Sequence, residues 1–234
     1  MKILQKGFNY SQDGPGNRLV YHLQGCNFSC KWCSNADSIP FDNPNAKEYS
    51  VDMLFDEIIR SRMMFFDGGG VTFTGGEVCV QSKELILLLK KLKDAGISTC
   101  IESNASLLPI KEIAKYIDYL IVDFKHYDTD MHEKWVGVSN RTVKENIEYF
   151  LSSGRQIHIR IPVIHGINDN PEGFAEYFKS LDTSNAVFEF LAYHEFGKDK
   201  WQGDYEISDG FLPLGTITKF REIFENYGMK TVVT

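Results

Sequence analysis

The sequence predicts an α/β protein built as a partial (β/α)6 barrel of TIM type, its parallel sheet open on one side. Two observations carry that prediction. Short β-branched runs alternate with helical stretches along the 234 residues, and such alternation builds a parallel sheet through right-handed crossovers. An eight-stranded barrel typically takes about 250 residues, so about six β/α units are expected here. A doubly wound open sheet is the alternative that the same alternation allows. No repeat of fixed period and no low-complexity tract breaks the chain, so one domain over 1–234 is expected.

Six runs read as strands: LVYHLQ (19–24), GVTFTG (70–75), ISTCIE (97–102), YLIVDF (119–124), QIHIRIPV (156–163) and AVFEFLAY (186–193). Helices are expected between them, around 51–65, 82–95, 109–117, 141–152 and 171–180. The clearest is SKELILLLKKLKDAG, where Leu85, Leu88, Leu89 and Leu92 share one face. Ser82 is placed to cap its start and Gly96 to end it. A last helix over 213–227 leads into a short strand, KTVVT.

Composition narrows the class. A hydrophobic share of 43% fills a globular core, and a net charge of −7 argues against nucleic acid as the main partner. No apolar run reaches the length of a membrane span, so no membrane partner is expected. The opening MKILQKGFNYSQDGPG lacks the apolar stretch of a secretory signal. A cytoplasmic, reducing setting follows, where disulfides are rare and an odd count of five cysteines fits a metal site better than bridges.

Each strand is followed by, or carries, polar residues out of place in a core. They are the cysteines of GCNFSCKWCSN (25–35), TGGE (74–77), ESN (102–104), DFK (123–125), Arg160 and YHE (193–195). In a parallel fold these positions line the active edge. Cys26, Cys30 and Cys33 are spaced Cys-x3-Cys-x2-Cys, and thiolates suit zinc or an iron–sulfur cluster. A structural zinc is normally closed by a fourth ligand, and none stands nearby. Three thiolates on a four-iron cluster leave one iron open for a small molecule. Buried thiols or an incomplete zinc site are the bland alternatives. Cys79 and Cys100 read as small core residues.

With an aromatic residue before the third cysteine, this motif resembles that of the radical S-adenosylmethionine (SAM) enzymes. The resemblance extends to the activating enzymes of glycyl radical enzymes, most closely those of pyruvate formate-lyase type. It rests on DGPGNR (13–18), GCNFSCKWCSN (25–35), GGGVTFTGGE (68–77), VDFKHYD (122–128), VGVSNRT (136–142), IRIPVIHGIND (159–169) and YHEFGKDKW (193–201). It implies a 4Fe-4S cluster, SAM as cosubstrate and an oxidoreductase that activates formate C-acetyltransferase. A reduced cluster would cleave SAM to methionine and a 5′-deoxyadenosyl radical, which takes the α hydrogen of a glycine in a partner enzyme. A flavodoxin or ferredoxin-type electron donor, an anaerobic cytoplasm and a monomer are implied as well.

The resemblance also assigns residues. Gly75, Gly76 and Glu77 would meet the amino group of bound SAM, although two glycines at a strand end also read as an ordinary turn. Trp32 and Ser34 would lie at the adenine, where the pyruvate formate-lyase type carries Tyr and His. Asp123, Phe124 and Lys125 would bind SAM, against a plain ion pair on a solvated rim. Arg160, a charge in an apolar strand, needs a partner, and a SAM carboxylate would serve; His158 on the same face reads as structural. His194 would touch the adenosyl group rather than cap a strand, and Asp13 would help position the target loop. A sodium or potassium ion would be held by Glu102, Ser103, Asp123 and the carbonyl of Ile121, the family carrying Asp where this chain has Glu102.

Two rivals stay open. From another class, the chain could be an iron–sulfur electron carrier or a zinc-binding module. Within the class, CKWCSN resembles activators of other glycyl radical enzymes: dehydratases, decarboxylases or C–N lyases. Those carry a ferredoxin-like insert with extra cysteines, and the ADSIPFDNPNAKEYS that follows here has none.

Overall fold

Residues 1–233 are described by the computed structural model, and they fall into two units. The first comprises Met1–Asn27, Asp37–Ser103 and Leu107–Ile121; the second comprises Phe28–Ala36, Asn104–Ser106 and the chain from Val122 onward. The class is α/β with a mostly parallel, open sheet.

In chain order the first unit holds β1 (Lys2–Tyr10), β2 (Asn17–Leu23), β3 (Lys47–Glu48), α1 (Val51–Arg60), β4 (Gly70–Gly75), α2 (Ser82–Asp94), β5 (Thr99–Ser103), α3 (Ile110–Ile113) and the start of β6 (Tyr119–Asp123). Its strands lie in the order β3-β1-β2-β4-β5-β6. β2 runs parallel to β4 from Arg18↔Gly70 to Leu23↔Gly75, and β4 parallel to β5 from Val71↔Thr99 to Phe73↔Ile101. β1 was not expected. It pairs antiparallel with β2 and buries only Ile3, so its sequence lacks the apolar alternation that announces a half-buried strand.

Helix α2 buries Leu85, Leu88, Leu89 and Leu92 as its spacing predicts, at about 1.5–3 kcal/mol for each side chain fully removed from water. Ser82 does not cap it. A 3-10 turn over Val78–Gln81 runs straight into the helix, leaving Gln81 at the cap position with its side chain bonded to Lys2 and Gln24 rather than to the helix start, and Ser82 already helical. Gly96 does end it, at φ +66°. The helix expected over 109–117 is only one α turn, Ile110–Ile113, followed by a 3-10 turn to Tyr116.

Arg18 is wholly buried yet fully used. Its Nε donates to Thr72 Oγ1 at 2.8 Å, one terminal nitrogen to the Val71 carbonyl at 2.8 Å and the other to the Pro15 carbonyl at 3.1 Å. Thr72 in turn donates to the carbonyl of Asp13 at 2.7 Å. The DGPG turn is therefore pinned from below by a buried cation that β2 supplies.

The second unit carries the end of β6, then α4 (Thr129–Val136), α5 (Arg141–Ser152), β7 (Ile157–Val163), α6 (Pro171–Lys179), β8 (Ala186–Ala192), α7 (Thr216–Asn226) and β9 (Thr231–Val232). Its strand order is β6-β7-β8-β9; the predicted end of the last strand, Thr234, lies outside the described residues. The core of this unit is aromatic. Phe178 meets Phe188 at 4.8 Å, and Phe224 meets Phe188 at 5.0 Å and Phe190 at 4.8 Å, all edge to face. Such pairs add about 0.5–1.5 kcal/mol each beyond area burial.

Helix α4 was also unexpected. It is eight residues long, capped by Asp128, whose side chain accepts from Met131 N, and closed by Gly137 at φ +91°. The left-handed backbone of Gly137 demands glycine, whereas the Ser29 hydroxyl beside it could turn aside from a Cβ. The carbonyls of Trp135 and Val136 accept from Lys31 N at 3.0 Å and Ser29 N at 2.9 Å. The irregular loop over residues 28–35 thus hangs on the end of α4.

His132, on α4, lies 1% exposed against the ring of Phe28 and donates Nδ1–H to the Val138 carbonyl at 2.6 Å. Burial drives its pKa down to about 4, the carbonyl bond resisting. The folded state therefore binds fewer protons than the unfolded chain between pH 6.5 and about 4, and stability must fall as pH falls through that window. We expect chemical unfolding of wild type to lose up to about 3 kcal/mol more than His132→Gln over this range. Parallel pH profiles for the two proteins would remove His132 as a determinant of acid stability.

Candidate active site

In the first unit, the glycine pair is fixed by close approach of β2 and the residues after it. A Cβ on Gly75, which sits at φ +100°, would come 2.4 Å from Leu23 N, and one on Gly76 would come 2.1 Å from the Gly25 carbonyl oxygen. Gly76 N donates to Leu23 O and Glu77 N to Gly25 O, both at 2.8 Å. The TGGE turn is thereby bolted to the residues that precede Cys26. Cys26 itself is anchored through its N–H to the Ile39 carbonyl at 3.0 Å.

The Glu77 carboxylate is wholly buried. It accepts from Cys79 N at 3.0 Å and from Ser103 Oγ at 2.8 Å. Beside it, Thr74 donates to Glu102 at 2.7 Å. Glu77, Glu102 and Ser103 thus share the strand ends of β4 and β5, while Ile121 is buried in β6. Asp13, half-buried, accepts from Asn9 Nδ2. Cys79 and Cys100 are both buried. Burial, then the charge of Glu77, pushes the Cys79 thiol far up, so it is no ready ligand.

The second unit holds Cys30 and Cys33, joined by a turn in which Cys33 N donates to Cys30 O at 3.1 Å. Trp32 between them is 7% exposed and Ser34 half-buried. Lys125 Nζ lies 2.9 Å from Asp123 Oδ2, with the lysine side chain 12% exposed. Burial works against its charge, but Asp123, with Cys30 and Cys33, outweighs burial and drives the pKa up. Lys125 is therefore held as a charged ammonium, while its partner Asp123 remains 36% exposed.

Phe124 points the other way. It is wholly buried, stacked on Tyr177 at 5.1 Å and edge to face with Phe178, so only its backbone is available to a ligand. Its N–H donates to the Arg160 carbonyl at 2.8 Å. Arg160 Nε donates to Glu189 Oε2 at 2.6 Å, and His158 Nε2 stands 2.9 Å from the same oxygen. His194 is exposed and stacked on Phe196 at 4.5 Å, not capping β8.

Sequence reasoning missed two of these supports. Glu189 was legible: a carboxylate inside FEF, one strand from a buried arginine that needed a partner, in register Arg160↔Glu189. Asn168 was not. Its amide donates to the carbonyls of Lys125 at 2.9 Å and Pro162 at 2.6 Å and accepts from Ile164 N at 2.7 Å, which ties the end of β7 to the backbone of Lys125.

The profile described as Radical SAM superfamily matches residues 20–178. Motif and fold thus define a radical SAM protein. Pyruvate formate-lyase 1-activating enzyme of Escherichia coli (strain K12) is 32% identical over 94% of this chain and 93% of its own length. The pyruvate formate-lyase-activating enzyme of Staphylococcus epidermidis is 32% identical over 95% and 94%. At that identity and coverage, the chain belongs to the pyruvate formate-lyase-activating enzyme family. A domain of such an enzyme from Bacteroides vulgatus superposes with TM-score 0.60 at 27% identity, covering 71% of this chain and 99% of that one. A radical SAM methyltransferase from Sphaerobacter thermophilus gives TM-score 0.69 at 16% identity over 97% of this chain and 68% of its own, a likeness of fold alone.

Membership implies a 4Fe-4S cluster and SAM. Among the described residues no group of three or more His, Cys, Asp or Glu side chains is gathered to hold a metal ion, so the fit rests on the donor set. None of the five cysteines is in a disulfide, and the charges of Cys30 and Cys33 act on the ammonium of Lys125, an interaction that favours thiolate. Soft thiolates suit iron–sulfur ligation. Among the described residues no helix is long and apolar enough to cross a membrane.

The difference in thiol environment is measurable. In the apo chain at pH 8, an alkylating reagent should modify the half-buried Cys26 and Cys33 first and reach Cys79 and Cys100 only after denaturant is added. Mass spectrometry of the modified peptides would show it. Early labelling of Cys79 would contradict its burial.

Proposed function

We propose that this chain is an activase that installs a glycyl radical on a pyruvate formate-lyase-type partner. The observation that carries the reading is its similarity to that family along almost the whole chain, with the three-cysteine motif kept. When bound, the cluster and SAM supply one-electron chemistry, in which SAM gives methionine and a 5′-deoxyadenosyl radical that takes a glycine α hydrogen. The remaining work falls to the protein, and it is binding and orientation.

Cys26, Cys30 and Cys33 would hold the cluster, which supplies the electron when reduced. The backbone of Gly75 and Gly76 and the neighbouring Glu77 face the SAM amino group, with Glu77 acting through the turn it stiffens. Lys125, its charge sustained by Asp123, meets the SAM carboxylate, and Arg160, steadied by Glu189, supports the same end. Trp32, Ser34, the backbone of Phe124 and His194 serve the adenosine end. No residue is needed as acid or base, because homolysis moves no proton. Asp13, on its pinned turn, guides the partner's loop. Residues 1–234 act as one catalytic domain, as a monomer in an anaerobic cytoplasm, reduced by a flavodoxin or ferredoxin-type donor, with no role for nucleic acid. CKWCSN favours a second reading, an activator of another glycyl radical enzyme, and the same assay with that partner separates the two.

The reduced, reconstituted enzyme mixed with its partner and SAM should give a glycyl radical doublet by electron paramagnetic resonance. One 5′-deoxyadenosine should form for each radical, and glycine-to-alanine replacement in the partner should abolish the doublet. SAM consumed with a small metabolite modified, and no protein radical, would refute the activase reading.

A monovalent cation is the remaining proposed ligand, held by Glu102, Ser103, Asp123 and the Ile121 carbonyl, since hard oxygens suit such an ion. Activity should fall several-fold when sodium and potassium are replaced by a bulky organic cation, and Glu102→Asp should not abolish it. Equal rates in all three salts would eliminate the site.

A further inference from the structure

The segment after β8 touches the cysteine loop at several points. Trp201 donates its indole N–H to the carbonyl of Cys33 at 3.0 Å, and Lys200 Nζ donates to Asn35 Oδ1 at 3.0 Å. Gly197 passes so close that a Cβ would come within 2.2 Å of the Ser34 carbonyl oxygen. Its φ of −102° is open to any residue, so glycine is required there for approach and not for conformation. Further on, Lys31 pairs with Glu206 at 2.5 Å.

The segment is itself braced. Trp201 and Tyr205 meet edge to face at 5.5 Å, and the Tyr205 hydroxyl bonds that of Tyr193 at 2.9 Å, next to the end of β8. The cysteine loop is therefore held from two sides. On one, α4 accepts from the N–H groups of Ser29 and Lys31. On the other, the indole takes the carbonyl that directly follows the third thiol. A carbonyl fixed in this way sets ψ of Cys33 and, with it, the peptide that leads to Ser34.

We propose that Trp201 is a positioning residue for the iron–sulfur site. Its N–H holds the Cys33–Ser34 peptide, and so sets the direction of the Cys33 thiolate, with Gly197 providing the close approach that this requires. The inference rests on the reading that Cys33 ligates the cluster. It goes beyond that reading by assigning the geometry of one ligand to a residue 168 positions away in sequence.

The test uses the full chain reconstituted anaerobically, and compares wild type with Trp201→Phe, Gly197→Ala and Tyr205→Phe. Iron content, the rate of iron loss to a chelator, the resonance spectrum of the reduced cluster and the melting of the apo chain are measured. Trp201→Phe keeps the ring and removes the donor. It should load the same iron and melt as wild type, yet release iron about fivefold faster, the scale of one net hydrogen bond, with a shifted spectrum. Gly197→Ala should release iron faster still, and it decides the matter if Trp201→Phe fails to fold. Tyr205→Phe, which touches only the brace, should match wild type. Wild-type release and an unshifted spectrum in both Trp201→Phe and Gly197→Ala would overturn the proposal while leaving the family reading intact. A wild-type chain that takes up no iron–sulfur cluster would sink both.

Discussion

Eight residues without regular structure, 28–35, carry two of the three motif thiols, and their backbone must find partners outside themselves. That requirement organises the second unit. A loop cannot satisfy its own N–H and C=O groups as a helix does, and each one buried unpaired costs about 1–3 kcal/mol. The end of α4 offers carbonyls that helix geometry leaves unpaired, and those of Trp135 and Val136 accept from the loop. Gly137 closes the helix in a left-handed backbone. The position of the thiols is thus a consequence of where a short helix stops.

The strand-end charges follow a second rule. Each one is already engaged by the protein before any ligand arrives. Glu77 is held by Ser103 and by the N–H of Cys79, Arg160 by Glu189, and Lys125 by Asp123. A buried charge without such a partner would cost several kcal/mol. A partnered one arrives pre-oriented and loses little freedom on binding. For Lys125, burial opposes the charge and is outweighed by the neighbouring Asp123 and thiols, so its pKa is raised. The parallel register of β7 and β8 does the same for Arg160, setting Glu189 directly across from it.

Much of this was legible beforehand. The apolar face of α2 and the six principal strands follow from local spacing, and the burial of Leu85, Leu88, Leu89 and Leu92 bears the spacing out. The thiol motif and the polar strand ends were legible because those residues are chemically out of place in a core. β1 was not, since a strand with one buried residue has no apolar alternation to read. Nor was α4, eight residues long, which lies between two motifs that drew attention to themselves. Ser82 misled, because a preceding 3-10 turn removed the extended residue that a cap requires.

The chemistry, then, belongs to the sequence. Three thiols at that spacing, a lysine two residues after an aspartate and an arginine inside an apolar strand declare themselves by type and order. The tertiary structure alone decided which partner each of them meets. It turned Phe124 into the aromatic core while Lys125 pairs with Asp123, buried the Glu77 carboxylate under Ser103, and brought Trp201 to the carbonyl of Cys33. Side-chain type is written locally, whereas a hydrogen bond between residues 168 positions apart exists only after the chain has closed on itself.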